Sequence, residues 1–207
     1  MLKGYQRVTN QIVSMVNQNR GLGTRTRNAL APRKVRQDYL KQSGLAAVAG
    51  LTAGNLAEAS IRLQGGRLLI NTKDSWLADL SDDDLCITTI NNTEETLHSA
   101  PPPRHVRWHQ QLYARQSCQA VVLLQPSAAL AFAASEKELD VSRLKDAVHV
   151  VGAVPILDPE QVEEHASHST SMLIRGYGVL AVGSSLPGVI ARVETFNRWC
   201  EAMLLVS

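Results

Sequence analysis

Two histidines one helical turn apart, His105 and His109, sit beside Arg104 and Arg107 and form the sequence's main group of proton-handling and cationic side chains. Imidazoles titrate near neutrality and guanidiniums stay charged, so such a group suits binding an anion or holding a base close to its working pKa. The competing reading is a helix terminus whose polar residues face solvent or a neighbouring subunit. His165 and His168 form a second pair, at the i and i+3 spacing that turns both toward one ion on a helix. A lasting zinc site takes three or four protein ligands, so exposed helix histidines are the simpler reading there. The sequence contains no phosphate loop, dinucleotide-binding glycine motif, nucleophile elbow, metalloprotease motif or calcium loop. Cys86, Cys118 and Cys200 are odd in number and far apart, which suggests neither a disulfide framework nor a cysteine zinc site, and points to a reducing compartment.

These residues need a scaffold, and apolar spacing supplies one. Val8, Ile12, Val13 and Val16 fall at helical intervals, predicting an amphipathic helix over residues 5–17, and a glycine- and arginine-containing linker follows. A second helix is expected over residues 37–49, then a tight turn at Gly54 and Asn55. Two strands are expected in GGRLLINT and DDDLCITTI, whose β-branched residues suit a pleated surface. The prolines at 101–103 suit the entrance of a helix with Val106, His109, Leu112 and Tyr113 on one face. Next come the buried strand QAVVLLQ, an alanine-rich helix at 127–134, and a strand or two within 148–157. Asp158, Pro159 and Gln161 form a helix start for a segment running to about His165. SMLIRGYGVLAVG reads as a hairpin, and a last helix over 186–205 should bury Val189, Val193, Phe196 and Cys200. Interleaved strands and helices predict an α/β or α+β domain built on one main sheet covered by helices.

Composition narrows the class. With 44% hydrophobic and 19% charged residues in 207, the chain suits one well-buried domain plus an extension, and no apolar run approaches membrane-spanning length. The net charge of +2 conceals an asymmetry: the first 37 residues hold eight of the 21 Lys and Arg and none of the 19 Asp and Glu, leaving about −6 on the rest. An arm of that kind, with Arg20, Arg25, Arg27, Arg33, Lys34 and Arg36, suits mitochondrial targeting, RNA binding or docking on an acidic protein surface, against the plain alternative of a solvated tail. The expected boundaries are a basic arm over 1–37 and a domain over 38–207.

The order of the segments carries a resemblance. LTAGNLAEASIRL, GRLLINTKD, LSDDDLCITTI, APPPRHVRWHQQLYAR, AVVLLQPSAAL and MLIRGYGVLAVGSSLPGVIARVETFNRWCEAML follow one another as in the class II aldolase/adducin family, over about residues 50–205, three quarters of the chain. The resemblance implies a single α/β domain with a central, mostly antiparallel sheet and helices on both faces. In the zinc lyases of that family, two histidines of an A-V-V-H-x-H strand and a later histidine before a glycine hold the metal. The corresponding positions here are Leu123, Gln125 and Tyr177, and none of the three is a good zinc donor. The family's acid/base glutamate corresponds to His105, a residue that moves protons but does not replace a Lewis acid. Of the phosphate loops, Thr52, Gly54, Asn55 and Thr72 are kept, whereas Lys73 replaces a glycine and Pro103 and Arg104 replace paired serines. Asn55, Thr72, Lys73 and Arg104 therefore remain as a residual anion site.

The expected function is that of a zinc-free, catalytically inactive pseudoenzyme, serving with other protein subunits as a structural or interaction subunit of a larger assembly, with no cofactor. Adducin is the family's precedent for non-catalytic use. Two alternatives stay open: a metal-independent enzyme or binding protein for a small phosphorylated or carboxylated compound, and an RNA-contacting subunit of a ribonucleoprotein particle. The arm favours a mitochondrial setting with an uncleaved targeting segment, the alternative being the cytoplasm. Family enzymes commonly form cyclic homotetramers, so a homo-oligomer is a further expectation.

Overall fold

A computed structural model describes residues 31–91, 101–135 and 145–205. The predicted helix over 5–17, and Arg20, Arg25 and Arg27 of the basic arm, lie outside the described residues. The chain divides into two compact units after Gln37. Ahead of that point Arg33 and Lys34 are exposed, whereas Arg36 is buried and its guanidinium donates to the Ala31 carbonyl.

The first helix, α1, covers Arg33–Val48, beginning earlier than the spacing predicted. A strand absent from the sequence expectation follows, β1 at Glu58–Leu63. Then come β2 (Arg67–Asn71), β3 (Leu85–Thr89), α2 (Val106–Arg115), β4 (Ala120–Leu124) and α3 (Ser127–Ala134). The expected strands in 148–157 reduce to two residues: α4 takes Lys145–Val151 and β5 is Ile156–Leu157. Gly152, at φ +72°, separates them, because a left-handed residue stops a helix and glycine enters that region without a steric penalty. The Asp158 and Gln161 capping box forms as expected, though it opens a single 3-10 turn before the four-residue α5 (Val162–His165). The hairpin strands β6 (Ser171–Ile174) and β7 (Gly178–Gly183) and the long α6 (Leu186–Leu205) close the chain.

The seven strands form one sheet in the order β3-β2-β1-β4-β7-β6-β5, antiparallel except for the β5–β6 pair. Alternation sends successive side chains of β4 and β7 to opposite faces. Val121 and Leu123 of β4 and Leu180 and Val182 of β7 join Leu112 and Tyr113 of α2 in one core. The intervening residues face the other side, where α6 packs on β4 and β7 and buries Val189, Val193, Phe196, Trp199 and Cys200. Each large side chain removed from water contributes about 2 kcal/mol, so the two cores together hold the sheet between helical layers.

Two local devices aim the site. Asn71, at the end of β2, behaves as a strand partner in side-chain form: its Oδ1 accepts from the Ala59 N–H at 2.9 Å and its Nδ2 donates to the Ala57 carbonyl at 3.2 Å. The backbone on both sides of Glu58 is thereby fixed. At the tip of the β6–β7 hairpin, Gly178 has φ +128° and its backbone lies against the Leu124 carbonyl, leaving no room for a Cβ. Gly176, at φ +74°, faces open space. The pair presses the turn carrying Tyr177 onto the end of β4.

The two glycines predict different costs. Gly178→Ala should destabilise by about 3 kcal/mol or more, because strain and overlap with rigid backbone add, whereas Gly176→Ala should cost about 1 kcal/mol from the left-handed conformation alone. Equilibrium urea unfolding of the two variants checks both.

Candidate functional site

The site is two stripes of polar side chains that match in pitch. Along β1, Glu58 and Ser60 are two residues apart on one face, a repeat of about 6.6 Å. Along α2, His105, His109 and Tyr113 are four apart, a repeat of about 6 Å. The repeats are close enough for the stripes to pair residue by residue. His105 Nδ1 lies 2.8 Å from Glu58 Oε1, His109 Nε2 lies 3.4 Å from Glu58 Oε2, His109 Nδ1 lies 2.7 Å from Ser60 Oγ, and Tyr113 Oη lies 3.0 Å from Ser60 Oγ. Glu58, Ser60 and His109 are buried, while His105 keeps part of its surface at the rim.

Burial pushes the Glu58 carboxyl up, but hydrogen bonds from His105 and then His109, with the charges of the two imidazoles, outweigh it and bring its pKa to about 2, against an ordinary 4.5. Glu58 is therefore a carboxylate at neutral pH and accepts only. That fixes the proton on Nδ1 of His105 and, across the longer contact, on Nε2 of His109. His109 Nδ1 then accepts from the Ser60 hydroxyl, and Ser60 accepts from Tyr113. The His105 N–H also donates to Glu58 Oε1 at 3.2 Å, so the carboxylate caps α2, at the end of the helix where negative charge is favoured. Burial raises the Tyr113 phenol and the three cysteine thiols, and all three cysteines are free and buried, leaving no activated thiol among the described residues.

Above Glu58 opens a small cleft lined by Asn55, Leu56, Lys73, Asp74, Arg104 and His105, with about 20 Å³ of internal room, on the scale of one water molecule. Three of the four residues expected as an anion site, Asn55, Lys73 and Arg104, share this wall. Thr72 does not line it: the residue is buried and its N–H donates to the Asp84 carbonyl. Asn55 Nδ2 donates to Asp74 Oδ1 at 3.2 Å, and Asp74 holds φ +66°, the only left-handed non-glycine among the described residues. Arg107, grouped with these by sequence, lines a different groove with Ile90 and Gln111. His109 is wholly buried, so the solvent-facing reading of this helix end fails at that residue. His168 lies past the end of α5, which stops at His165, and the i, i+3 pairing on one helix is not formed.

The three positions that the resemblance assigned to a metal serve other purposes. Leu123 is in register with Glu58 and with Leu180, buried in the core, and offers only hydrocarbon. Gln125 spends its Nε2 on the Leu56 carbonyl at 3.0 Å while its N–H donates to Leu51, stitching the 51–56 loop to the end of β4. Tyr177 is 39% exposed and packs edge-on to His105 at 5.2 Å and to Trp108 at 5.3 Å between ring centres. His105 in turn stacks on Trp108 at 4.6 Å. This donor set does not fit a zinc ion, which needs soft or anionic ligands converging on one point. Among the described residues no other group of three His, Cys, Asp or Glu is arranged to hold one.

Residues 38–204 match the family model for the class II aldolase and adducin N-terminal domain. Among solved structures the chain is similar to YgbL from Klebsiella pneumoniae, at 20% identity over 84% of this chain and 90% of that one with a TM-score of 0.75. It is also similar to L-fuculose-1-phosphate aldolase from Thermus thermophilus, at 21% identity over 81% and 92% with a TM-score of 0.67. A third similar structure, the sugar-phosphate aldolase from Thermotoga maritima, is 19% identical over 82% and 93% with a TM-score of 0.70. No curated protein sequence matches significantly.

Glu58 carries the network, and its lowered pKa gives a signed expectation. Its contribution is complete above the ordinary 4.5 and is lost as pH falls toward about 2. Glu58→Gln should cost about 3 kcal/mol at neutral pH, since it strips the buried His109 and the half-buried His105 of their carboxylate. The gap between variant and wild type should narrow as pH falls through that interval, read by denaturant unfolding at a series of pH values.

Proposed function

The chain belongs to the class II aldolase and adducin N-terminal domain family, and from that membership we propose that it lacks the family's zinc-dependent lyase chemistry and serves as a structural or interaction subunit of a larger assembly. One observation carries this reading: Leu123, Gln125 and Tyr177, the residues at the positions implied for the metal, are a core hydrocarbon, a backbone stitch and a stacked phenol. Fold and site are separable, so a chain keeps its packed sheet after its metal donors change. The cleft is also narrow for a sugar phosphate.

The basic first 37 residues, with none of the chain's acidic side chains, are the docking element in this reading and suit a mitochondrial setting. Other protein subunits are the partners. Contact with RNA through the same arm is the variant of the reading in which the cations meet phosphates.

Metal analysis and native mass test the proposal together. Protein purified in the presence of zinc and then dialysed should retain far less than about one zinc per chain and should not cleave sugar phosphates. Gentle extraction and size separation should show the endogenous chain co-migrating with a defined complex. Stoichiometric zinc with turnover, or a lone homo-oligomer, overturns it. Association that falls steeply with added salt assigns the arm to RNA, and salt-insensitive association assigns it to protein.

A further inference from the structure

Arginines in this domain are put to use within it. Among the described residues after Gln37, Arg62, Arg67, Arg115, Arg175, Arg192 and Arg198 each donate to a carbonyl or a carboxylate. Arg104 and Arg107 are the exceptions among them: both are exposed, and neither has a hydrogen-bond or ion-pair partner. They also stand where the backbone disfavours them, since α2 begins at Val106 and the N-terminal end of a helix repels cations. The acidic side chains of the neighbourhood are engaged elsewhere. Glu58 is buried on the two imidazoles, Asp74 accepts from Asn55 across the cleft that Arg104 borders, and Glu163 pairs with Arg115. Two unpaired guanidiniums held against a helix dipole suit a negative partner from outside the domain.

The surroundings give that partner a shape. Arg104 and Arg107 are three residues apart at the helix entrance, about 5–6 Å by helical spacing. Acidic side chains two residues apart on an extended chain are separated by about 6.6 Å, a near match. Beside Arg107 a groove of about 280 Å³ follows α2 for two turns, lined by Ile90, Asn91, Arg107, Gln110, Gln111 and Ala114. Arg107 is the ionisable residue of that lining. Carboxamides donate and accept as peptide groups do, and Ile90 and Ala114 supply hydrocarbon for an apolar side chain. No aromatic ring lines the groove, so a nucleic acid would find a cation there without a surface on which to stack its bases.

We propose that the entrance of α2 and the groove beside Arg107 form a docking surface for an extended acidic segment of a partner protein. Two carboxylates of that segment, two residues apart, pair with Arg104 and Arg107, and the chain beyond them lies in the groove. Guanidiniums meet carboxylates in planar two-point pairs, a geometry that lysine does not reproduce. The proposal rests on the subunit role given above and adds to it a surface on the domain itself, apart from the basic arm.

The probes are a fluorescent peptide in which Glu alternates with Val, its counterpart with Gln for Glu, and single-stranded oligouridylate, titrated into the full chain at one ionic strength and followed by anisotropy. The Glu peptide should bind saturably and about tenfold more tightly than the Gln peptide. Arg104→Gln and Arg107→Gln should each weaken it by about five- to tenfold, and Arg107→Lys should recover only part of the loss. Ala114→Glu, on the exposed wall of the groove, should weaken it with both arginines intact. Arg198→Gln, which removes an arginine paired with Glu201 on α6, should leave the affinity unchanged, because the charges of the arm are common to every variant. Neither Arg104→Gln nor Arg107→Gln should lower the melting temperature, since each takes a cation away from a helix N-terminus. Peptide binding that ignores Arg104→Gln, Arg107→Gln and Ala114→Glu overturns the proposal, as does tighter binding of oligouridylate that falls with the same substitutions. A native complex that forms equally well with the double arginine variant also overturns this surface while leaving the subunit role standing, whereas a lone wild-type chain removes that role.

Discussion

A carboxylate cannot lie inside a sheet-and-helix sandwich without charged or strongly polarised donors, and Glu58 imposes that condition on everything around it. It is answered from one helix, α2, whose His105 and His109 reach both carboxylate oxygens while the His105 N–H closes the helix end. The pairing works because four residues of helix and two of strand advance by nearly the same distance, which lets Ser60 and Tyr113 extend the row. Arg62, the next residue of the β1 stripe, completes it by donating to the carbonyls of Tyr113, Gln116 and Cys118 at and just beyond the far end of α2. Strand and helix are joined along their length by polar contacts on the face where β1 would otherwise be expected to bury apolar side chains.

The cleft is the visible edge of this arrangement. Its floor is Glu58 and His105, and its rim is drawn from two loops that are themselves tied down, the 51–56 segment by Gln125 and the 72–75 turn by Asn71 and Ser75. Tyr177 completes the setting from the other side, brought there by a hairpin whose Gly178 admits no side chain. Residues from four separate stretches of sequence thus converge on one imidazole. A carboxylate meets it at Nδ1, and the rings of Trp108 and Tyr177 pack against it.

Family membership rests on the scaffold around this cluster. Packed cores lie on both faces of the sheet, and structures under 25% identical share the fold. What a fold conserves is the volume and polarity of its core, and Leu123 satisfies that demand better than a histidine would, since it packs in register between Glu58 and Leu180. At this position the strand offers a core hydrocarbon and no donor. The carboxylate–imidazole cluster supplies the fixed charges that hold this part of the domain together.

The sequence by itself determined most of the scaffold. Val189, Val193, Phe196 and Cys200 announced their helix, the Asp158–Gln161 box its capped turn, and SMLIRGYGVLAVG its hairpin, because each depends on contacts a few residues apart. It also offered Asn55, Thr72, Lys73 and Arg104 as an anion site, and of these Thr72 does not line the cleft. It did not disclose β1 or Glu58. EASIRL alternates polar and apolar residues as a half-exposed strand does, and the ordinary inference turns its polar side chains to solvent, whereas here Glu58 and Ser60 are buried. Only tertiary structure decided that face, since a buried carboxylate is tolerable only where His105 and His109, some fifty residues away, arrive at matching pitch. The same long-range packing separated Arg107 from Arg104, buried His109 and set Tyr177 against His105. Local periodicity fixes which elements form, and the partner that each polar side chain finds is a property of the assembled sheet.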